Sequence, residues 1–306
     1  MKKTPLRAVA LVGATGTGKS ALAMRICRES GQCIICCDSM QVYRHLDIGS
    51  AKPTAKEQRL VRHAMLDCCS LPDQFSAARW AAGARAVIHR ENTAGRIPLI
   101  VGGSGFYLRA LLQGLAEIPP EKPEVRRMLE QLRHQHGVRW LHRRLQQCDP
   151  ETAARLHAMD SQRIMRALAV FESTGIPLSG WQRHPPTREP IECPVFVLEM
   201  PRAQLREHLR ARFLAMLDAG WLDEVRWLDA NCPDPQHPAR RAVGYRQLLA
   251  HLHGSCTLEQ AIEQGITATR RYAKRQVTWF AHQLPTAVHG TAEQLHASIG
   301  ERLLAS

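Results

Sequence analysis

The chain has 306 residues, with 41 Lys and Arg against 28 Asp and Glu, and carries a formal charge of +13. That length allows one large domain with a sizeable insertion, or two domains, and the charge favours a polyanionic partner larger than a nucleotide. Ten cysteines without a regular framework exclude a disulfide scaffold and fit reduced cytosolic thiols, and no apolar run approaches membrane-spanning length, so the cytoplasm is the expected compartment.

The first residues, Lys2-Lys3 followed by Ala8-Val9-Ala10, imitate a signal peptide, but the apolar run is short and leads straight into a phosphate-binding motif. Ala8 to Val12 reads as a strand, Ala21 to Glu29 as a helix ended by Gly31, and between them lies GATGTGKS. This is a P-loop: Gly13, Gly16 and Gly18 let the backbone of Gly13, Ala14, Thr15, Gly16, Thr17 and Gly18 aim successive N–H groups at one anion. Lys19 adds a point charge and Ser20 a hydroxyl suited to magnesium, so the motif specifies a polyphosphate with Mg2+ without saying which.

Gln32 to Cys37 forms the second strand, and Cys33-x-x-Cys36 within it has half a zinc spacing with no second pair downstream. Asp38-Ser39-Met40-Gln41 closes the strand. In a parallel sheet, ligands bind beyond the strands' carboxyl ends, so Asp38 is expected to face the contents of the phosphate loop as a metal ligand or general base. Val42 to Pro53 is a polar loop longer than a connection requires, as functional loops often are. A short strand is expected within His63 to Leu71, and an amphipathic helix over Ser76 to Asn92. Ile97 to Val101 is the next strand, and Gly102-Gly103-Ser104-Gly105 turns it into a helix over Phe106 to Leu115, placing the Ser104 hydroxyl beside the same crevice.

From Pro119 the pattern is helical with hardly any strand: Glu124 to His136, Val138 to Gln147, Glu151 to His157 and Gln162 to Ser173, with prolines 185, 186, 190 and 194 marking the exit. The expected fold is thus a P-loop NTPase-like parallel sheet flanked by helices, residues 1–118 and 194–306, with an all-helical, arginine-rich insertion over 119–193. Val195 to Glu199 restores a strand, Arg202 to Ala230 is helical with a break near Gly220, and Glu259 to Ala281 is a further helix. The last carries Arg270, Arg271, Lys274 and Arg275 before Trp279 and Phe280. Cations beside flat rings suit RNA, although core packing is the simplest fate of those two rings taken singly.

GATGTGKS, DSMQVYRHLDIGSAKP, PLIVGGSGFYLRALL, SQRIMRALAVF, RAVGYRQL and TRRYAKRQVTWF occur in the order typical of tRNA dimethylallyltransferases, and the chain resembles that family from about residue 8 to 281. The resemblance implies transfer of a dimethylallyl group from dimethylallyl diphosphate to the exocyclic amine of the adenine 3′ of a tRNA anticodon, with diphosphate released. It also implies roles for single residues. Thr15 to Ser20 would grip the diphosphate, with Ser20 toward the metal, and Arg212 would neutralise the leaving group. Asp38 would accept the amine's proton, and with Ser39, Met40 and Gln41 would touch tRNA. Ser104 stands where threonine is usual beside the leaving group. Arg126, then Gln162, Arg163, Ile164, Met165 and Arg166, match tRNA-contacting positions in the insertion. Arg241, Ala242, Val243, Gly244, Tyr245 and Arg246 match a third contact stretch, and Lys274, Arg275, Gln276, Val277, Thr278, Trp279, Phe280 and Ala281 a fourth, Ala281 replacing a residue often basic there. His208 falls where arginine is common, which predicts pH-sensitive handling of diphosphate. The resemblance leaves the partners as a tRNA anticodon stem-loop and dimethylallyl diphosphate, with the chain acting as a monomer. The residues alone leave three rivals: a small-molecule kinase using ATP, a prenyltransferase acting on free adenine nucleotides, and a P-loop module that binds tRNA without reacting.

Overall fold

The computed structural model describes residues 5–183 and 189–304, so Pro185 and Pro186 and the Lys2-Lys3 start lie outside the described residues. The chain divides into two compact units, one made of Met1–Leu112 with Glu189–Ser306 and the other of Gln113–Arg188. The edges of the second unit therefore fall at Gln113 and Arg188 rather than at Pro119 and Cys193.

The first unit begins β1 (Leu6–Arg7), β2 (Val9–Gly13), α1 (Lys19–Ser30), β3 (Ile34–Cys37), α2 (Ala55–Leu60), β4 (His63–Ala64), α3 (Ala77–Thr93), β5 (Leu99–Gly102) and α4 (Gly105–Gln113). The second unit holds α5 (Pro123–His136), α6 (Val138–Cys148), α7 (Pro150–Arg155), α8 (Ser161–Thr174) and α9 (Leu178–Gln182). The first then resumes with β6 (Ile191–Glu192), β7 (Val195–Leu198), α10 (Arg202–Asp218), α11 (Trp221–Asn231), α12 (Pro238–Arg241), α13 (Tyr245–Leu252), α14 (Leu258–Gln283), β8 (Val288–Gly290) and α15 (Ala292–Leu304).

Six strands form one parallel sheet in the order β4-β3-β5-β2-β7-β8. Strands β2, β3 and β5 are buried on both faces, which is why they read as unbroken apolar runs and not as alternating ones. On one face Leu22 and Ile26 of α1 and Leu295, Ile299 and Leu303 of α15 pack on Val9, Leu11, Ile34, Leu99 and Phe196. Elsewhere the Trp80 indole of α3 donates to Cys36 O at 2.9 Å and stacks on Tyr107 of α4, its centroid 5.1 Å away, so the polar tip of the most bulky buried ring is satisfied inside the core. Ser76 caps α3 through Arg79 N, and the break between α10 and α11 falls at Gly220, whose φ of 96° few other residues adopt.

The second unit has its own core, with Leu129, Leu141, Leu145, Ile164 and Leu168 fully buried. Asp149 ties it together, one carboxylate oxygen accepting from Thr152 N at the start of α7 and the other from Ser179 N of α9, each at 3.0 Å. No helix among the described residues is long and apolar enough to cross a membrane.

Candidate active site

Strand register builds the centre of the site. Gly102 pairs with Val12 on one side and with Cys37 on the other. The residues that follow these three, Gly13, Gly103 and Asp38, therefore lie side by side at the sheet's carboxyl edge, on strands about 4.8 Å apart. A cavity of about 210 Å3 opens there, lined by Gly16, Gly18, Lys19 and Ser20 of the P-loop, by Asp38 and Gln41, and by Gly103. Arg212 of α10 and Tyr272 and Gln276 of α14 complete its wall.

The cradle is preformed. Gly16 and Gly18 take φ of 84° and 88°, Thr17 Oγ1 donates to Ala14 O at 2.9 Å, and the α1 N-terminus follows directly. Lys19 is buried, and its Nζ donates to Ala14 O at 2.6 Å. Burial first, and then the Arg212 cation, push Lys19 down to about 7, against the pull of the Asp38 carboxylate. Burial likewise lowers Arg212 from its ordinary value, and Asp38 opposes it, but a guanidinium so far above neutrality keeps its charge. The three groups thus feel one another across the cavity.

Asp38 is held by its own turn, with Oδ1 accepting from Met40 N at 2.7 Å and Gln41 N at 3.4 Å. Ser104 Oγ accepts from Ser39 N at 3.1 Å, and Ser104 N donates to Cys37 O at 3.2 Å, so Ser104 holds the Asp38 turn. Gly103 rather than Ser104 lines the cavity. Gln276 joins two of the loops, accepting from Thr15 N at 2.9 Å and donating to Gly103 O at 2.8 Å. Burial pushes the Tyr272 hydroxyl up to about 12, with Asp38 adding to the effect, so it is a neutral donor at the cavity wall.

The motif-matched stretches divide by exposure. In the second unit Arg126, Gln162, Arg163 and Arg166 are exposed, whereas Ile164 is fully buried in the core and Met165 packs against it. In the first unit Arg241, Arg246, Lys274, Arg275, Val277, Thr278 and Ala281 are exposed, Ala242, Val243 and Trp279 half-buried, and Gly244, Tyr245, Gln276 and Phe280 buried. The side chains of Ile164, Tyr245 and Phe280 therefore hold their helices in place and are not presented to a partner. His208 is exposed and is not among the residues lining the cavity, which removes the expected basis for its control of diphosphate handling. Sequence reasoning missed Tyr272 as a wall of the cavity and Gln276 as the bridge between the P-loop and the β5 turn. Their spacing of four on one helix, with Ala273 buried beside them, was the available signal.

A phosphate cradle, a carboxylate, a lysine and an arginine in one cavity at the carboxyl edge of a parallel sheet are the parts of a P-loop enzyme that acts on a phosphoanhydride. The IPP transferase family profile matches residues 41–283, and the chain belongs to that family. It is 43% identical to the tRNA dimethylallyltransferase of Syntrophobacter fumaroxidans over 279 residues, covering 91% of this chain and 82% of that one. It is equally 43% identical to that of Halorhodospira halophila over 292 residues, 94% of each chain. The crystal structure of the full-length tRNA isopentenylpyrophosphate transferase from Bacillus halodurans superposes with a TM-score of 0.70 at 31% identity, over 97% of both chains.

Proposed function

We propose that the protein transfers a dimethylallyl group from dimethylallyl diphosphate to the exocyclic N6 amine of the adenine 3′ of a tRNA anticodon. The observation that carries the reading is the single cavity shared by Lys19, Asp38 and Arg212 in a chain of this family. An aromatic amine is a poor nucleophile, so the site must align it with the allylic carbon, take its proton and neutralise the departing diphosphate. The N6–C1 bond forms as the C1–O bond breaks, the proton passes to the Asp38 carboxylate, and the oxygen keeps the electron pair on a diphosphate held by Lys19, Arg212 and the P-loop amides. Ser104 keeps the Asp38 turn in place from behind the cavity wall. An adenine must leave its loop stack to reach this cavity, as single-stranded RNA loops permit.

Magnesium fits the donors present. The Ser20 hydroxyl lines the cavity, exposed and with no hydrogen bond among the described residues, and Asp38 offers a second hard oxygen. Ser20 would hold the ion against the diphosphate, where it supplies charge neutralisation. The exposed arginines of α5, α8 and α14 and the net charge of +13 support tRNA as the polyanionic partner, and with ten free thiols they favour the cytoplasm.

Labelled dimethylallyl diphosphate or ATP, incubated with tRNA or with AMP, tests the reading. Label from the prenyl donor is expected in tRNA. Label in AMP, label passing from ATP, or no transfer with tRNA merely bound would each select one of the rivals instead.

A further inference from the structure

Glu224, on α11, belongs to none of the stretches assigned a role above, yet its carboxylate is among the most heavily engaged groups in the molecule. It accepts from the backbone N–H of Asp47 at 2.6 Å, Ile48 at 2.7 Å and Gly49 at 2.9 Å, and from the Tyr245 hydroxyl at 2.6 Å. Three successive N–H groups around one anion form a nest of the kind that holds phosphate, and here the anion is the protein's own side chain. Shape adds to charge. A methyl group on Gly49 would overlap the Trp221 indole nitrogen and the Tyr245 ring, and one on Gly244 would overlap the other end of the same indole. The loop can seat against α11 and α13 only because both positions are glycine.

From the nest a chain of bonds leads to the cavity. Gln41 Nε2 donates to Ser50 O at 3.2 Å and Ala51 O at 3.0 Å, the residues directly after the nest, and Gln41 N donates to Asp38 Oδ1. Ser50 and Ala51 themselves line the cavity. The loop also stores strain: His45 and Ala51 take left-handed φ of 66° and 49°. Buried Lys52 holds the far side, reaching Asp47 at 2.5 Å, Asp67 at 2.7 Å and Tyr43 O at 2.8 Å. Val42, Tyr43 and Leu46 anchor the start of the loop in the core, whereas the Asp47–Lys52 part that reaches the cavity is held by these polar clamps.

We propose that Glu224 is a positioning residue for the transfer step: it fixes the loop Val42–Pro53 and, through Gln41, the Asp38 turn that receives the acceptor base. The inference rests on the function proposed above. None of the nest's bonds reaches the P-loop, Gly103 or Arg212, so the clamp acts first on the Asp38 side of the cavity, and on Arg212 only through the packing of Trp221 on Phe213.

The test uses the full chain with Glu224→Ala, Glu224→Gln and Gly49→Ala, measuring prenyl diphosphate binding by calorimetry, melting temperature, and steady-state transfer against tRNA concentration. Glu224→Ala is expected to lower kcat/KM for tRNA by roughly ten- to a hundredfold, the scale of a misplaced catalytic group, with diphosphate affinity within about twofold of wild type. Glu224→Gln keeps one carbonyl oxygen in the nest and is expected to recover part of that loss. Gly49→Ala, which lifts the loop from the opposite side of the contact, should reproduce the split between the two substrates even if Glu224→Ala fails to fold. Wild-type transfer in Glu224→Ala overturns the proposal, as does a loss of diphosphate binding in parallel with turnover in all three variants. A wild-type chain that binds prenyl diphosphate and never modifies tRNA would instead remove the function on which the proposal stands.

Discussion

Binding of a prenyl diphosphate should draw a proton from solution, and Lys19 is the group that takes it. In the free protein its ammonium is held near pKa 7, lowered by burial and by Arg212, so at pH 8 about 0.9 of the molecules carry it neutral. A bound diphosphate supplies the negative charge the site lacks and restores the proton. The terminal phosphate of the ligand, with a second pKa of about 6, is already ionised at pH 8 and releases almost nothing in exchange. Uptake is therefore expected to approach about 0.9 proton per diphosphate bound, and affinity to fall by up to about 1.4 kcal/mol per pH unit as pH rises above 7. The sign for stability of the free protein is opposite to that of a paired lysine. Since the folded pKa lies below the unfolded 10.5, the protonated unfolded chain gains on the folded one as pH falls from about 10.5 to about 7, and the penalty is constant below. Titration calorimetry without metal, at pH 8, in buffers of different ionisation enthalpy reads the proton count as a slope. Lys19→Met should flatten it. A wild-type enthalpy independent of buffer, or an unchanged slope in Lys19→Met, would refute the reasoning.

Asp38→Ala is expected to lower turnover at least about a hundredfold, the scale of general-base loss, with tRNA binding kept in a filter or gel-shift assay; near-normal turnover would remove it from the mechanism. Gly103→Ala places a methyl group over the Gln276 amide, which also reaches Thr15 N, so diphosphate affinity should fall about tenfold while the melting temperature barely moves, because a flexible side chain can yield. Glu91 is buried beside Arg62, Arg96 and Arg90, at 3.1, 2.7 and 3.5 Å. Burial raises its carboxyl, but the bonds from Arg96 and Arg62 outweigh burial and hold it at about 2. Glu91→Ala should cost about 1–3 kcal/mol in denaturant unfolding, since its arginine partners regain water when it is removed, and the wild-type contribution, complete above pH 4.5, should fade as pH drops from there through about 2. Equal stability of Glu91→Ala and wild type at pH 7 would contradict it.

What could be read from the sequence was whatever is written locally. The P-loop, the strand ending in Asp38 and the glycine turn after β5 each combine a periodic apolar run with a turn of special backbone geometry, and all three lie at the carboxyl edge of the sheet. The closing strand β8 escaped notice because a three-residue strand has no measurable period, as did the β1–β6 pair of two residues each, whereas helix α15 was legible in the spacing of Leu295, Ile299 and Leu303 and was missed. Glu224 could not have been found: its partners on the loop lie 175 to 177 residues away and are backbone N–H groups, which leave no mark in composition. Motif membership also misled in one direction. Ile164, Tyr245 and Phe280 sit in the stretches matched to tRNA contact but point into protein, since a helix that shows one face to RNA must bury the other.

The two halves of the site are held by different physics, and this decides how substitutions should sort. Gly102 pairs with both Val12 and Cys37, and a methyl group there would overlap the Cys37 backbone. The distance from the phosphate cradle to the Asp38 turn is thus set by sheet register, which cannot slip by one residue without reversing every buried side chain of β5. The acceptor side is held by polar clamps at Glu224 and the buried Lys52, on a loop whose Val42, Tyr43 and Leu46 are anchored in the core. Core substitutions such as Leu11→Ala should therefore lower stability and transfer together, whereas substitutions at the Glu224 clamp should lower transfer to tRNA by more than their loss of melting temperature accounts for. The same division explains how one P-loop architecture can serve alkyl transfer to a nucleobase: the rigid part needs only an anion and a carboxylate in register, and the choice of nucleophile is left to a loop that the sheet does not constrain.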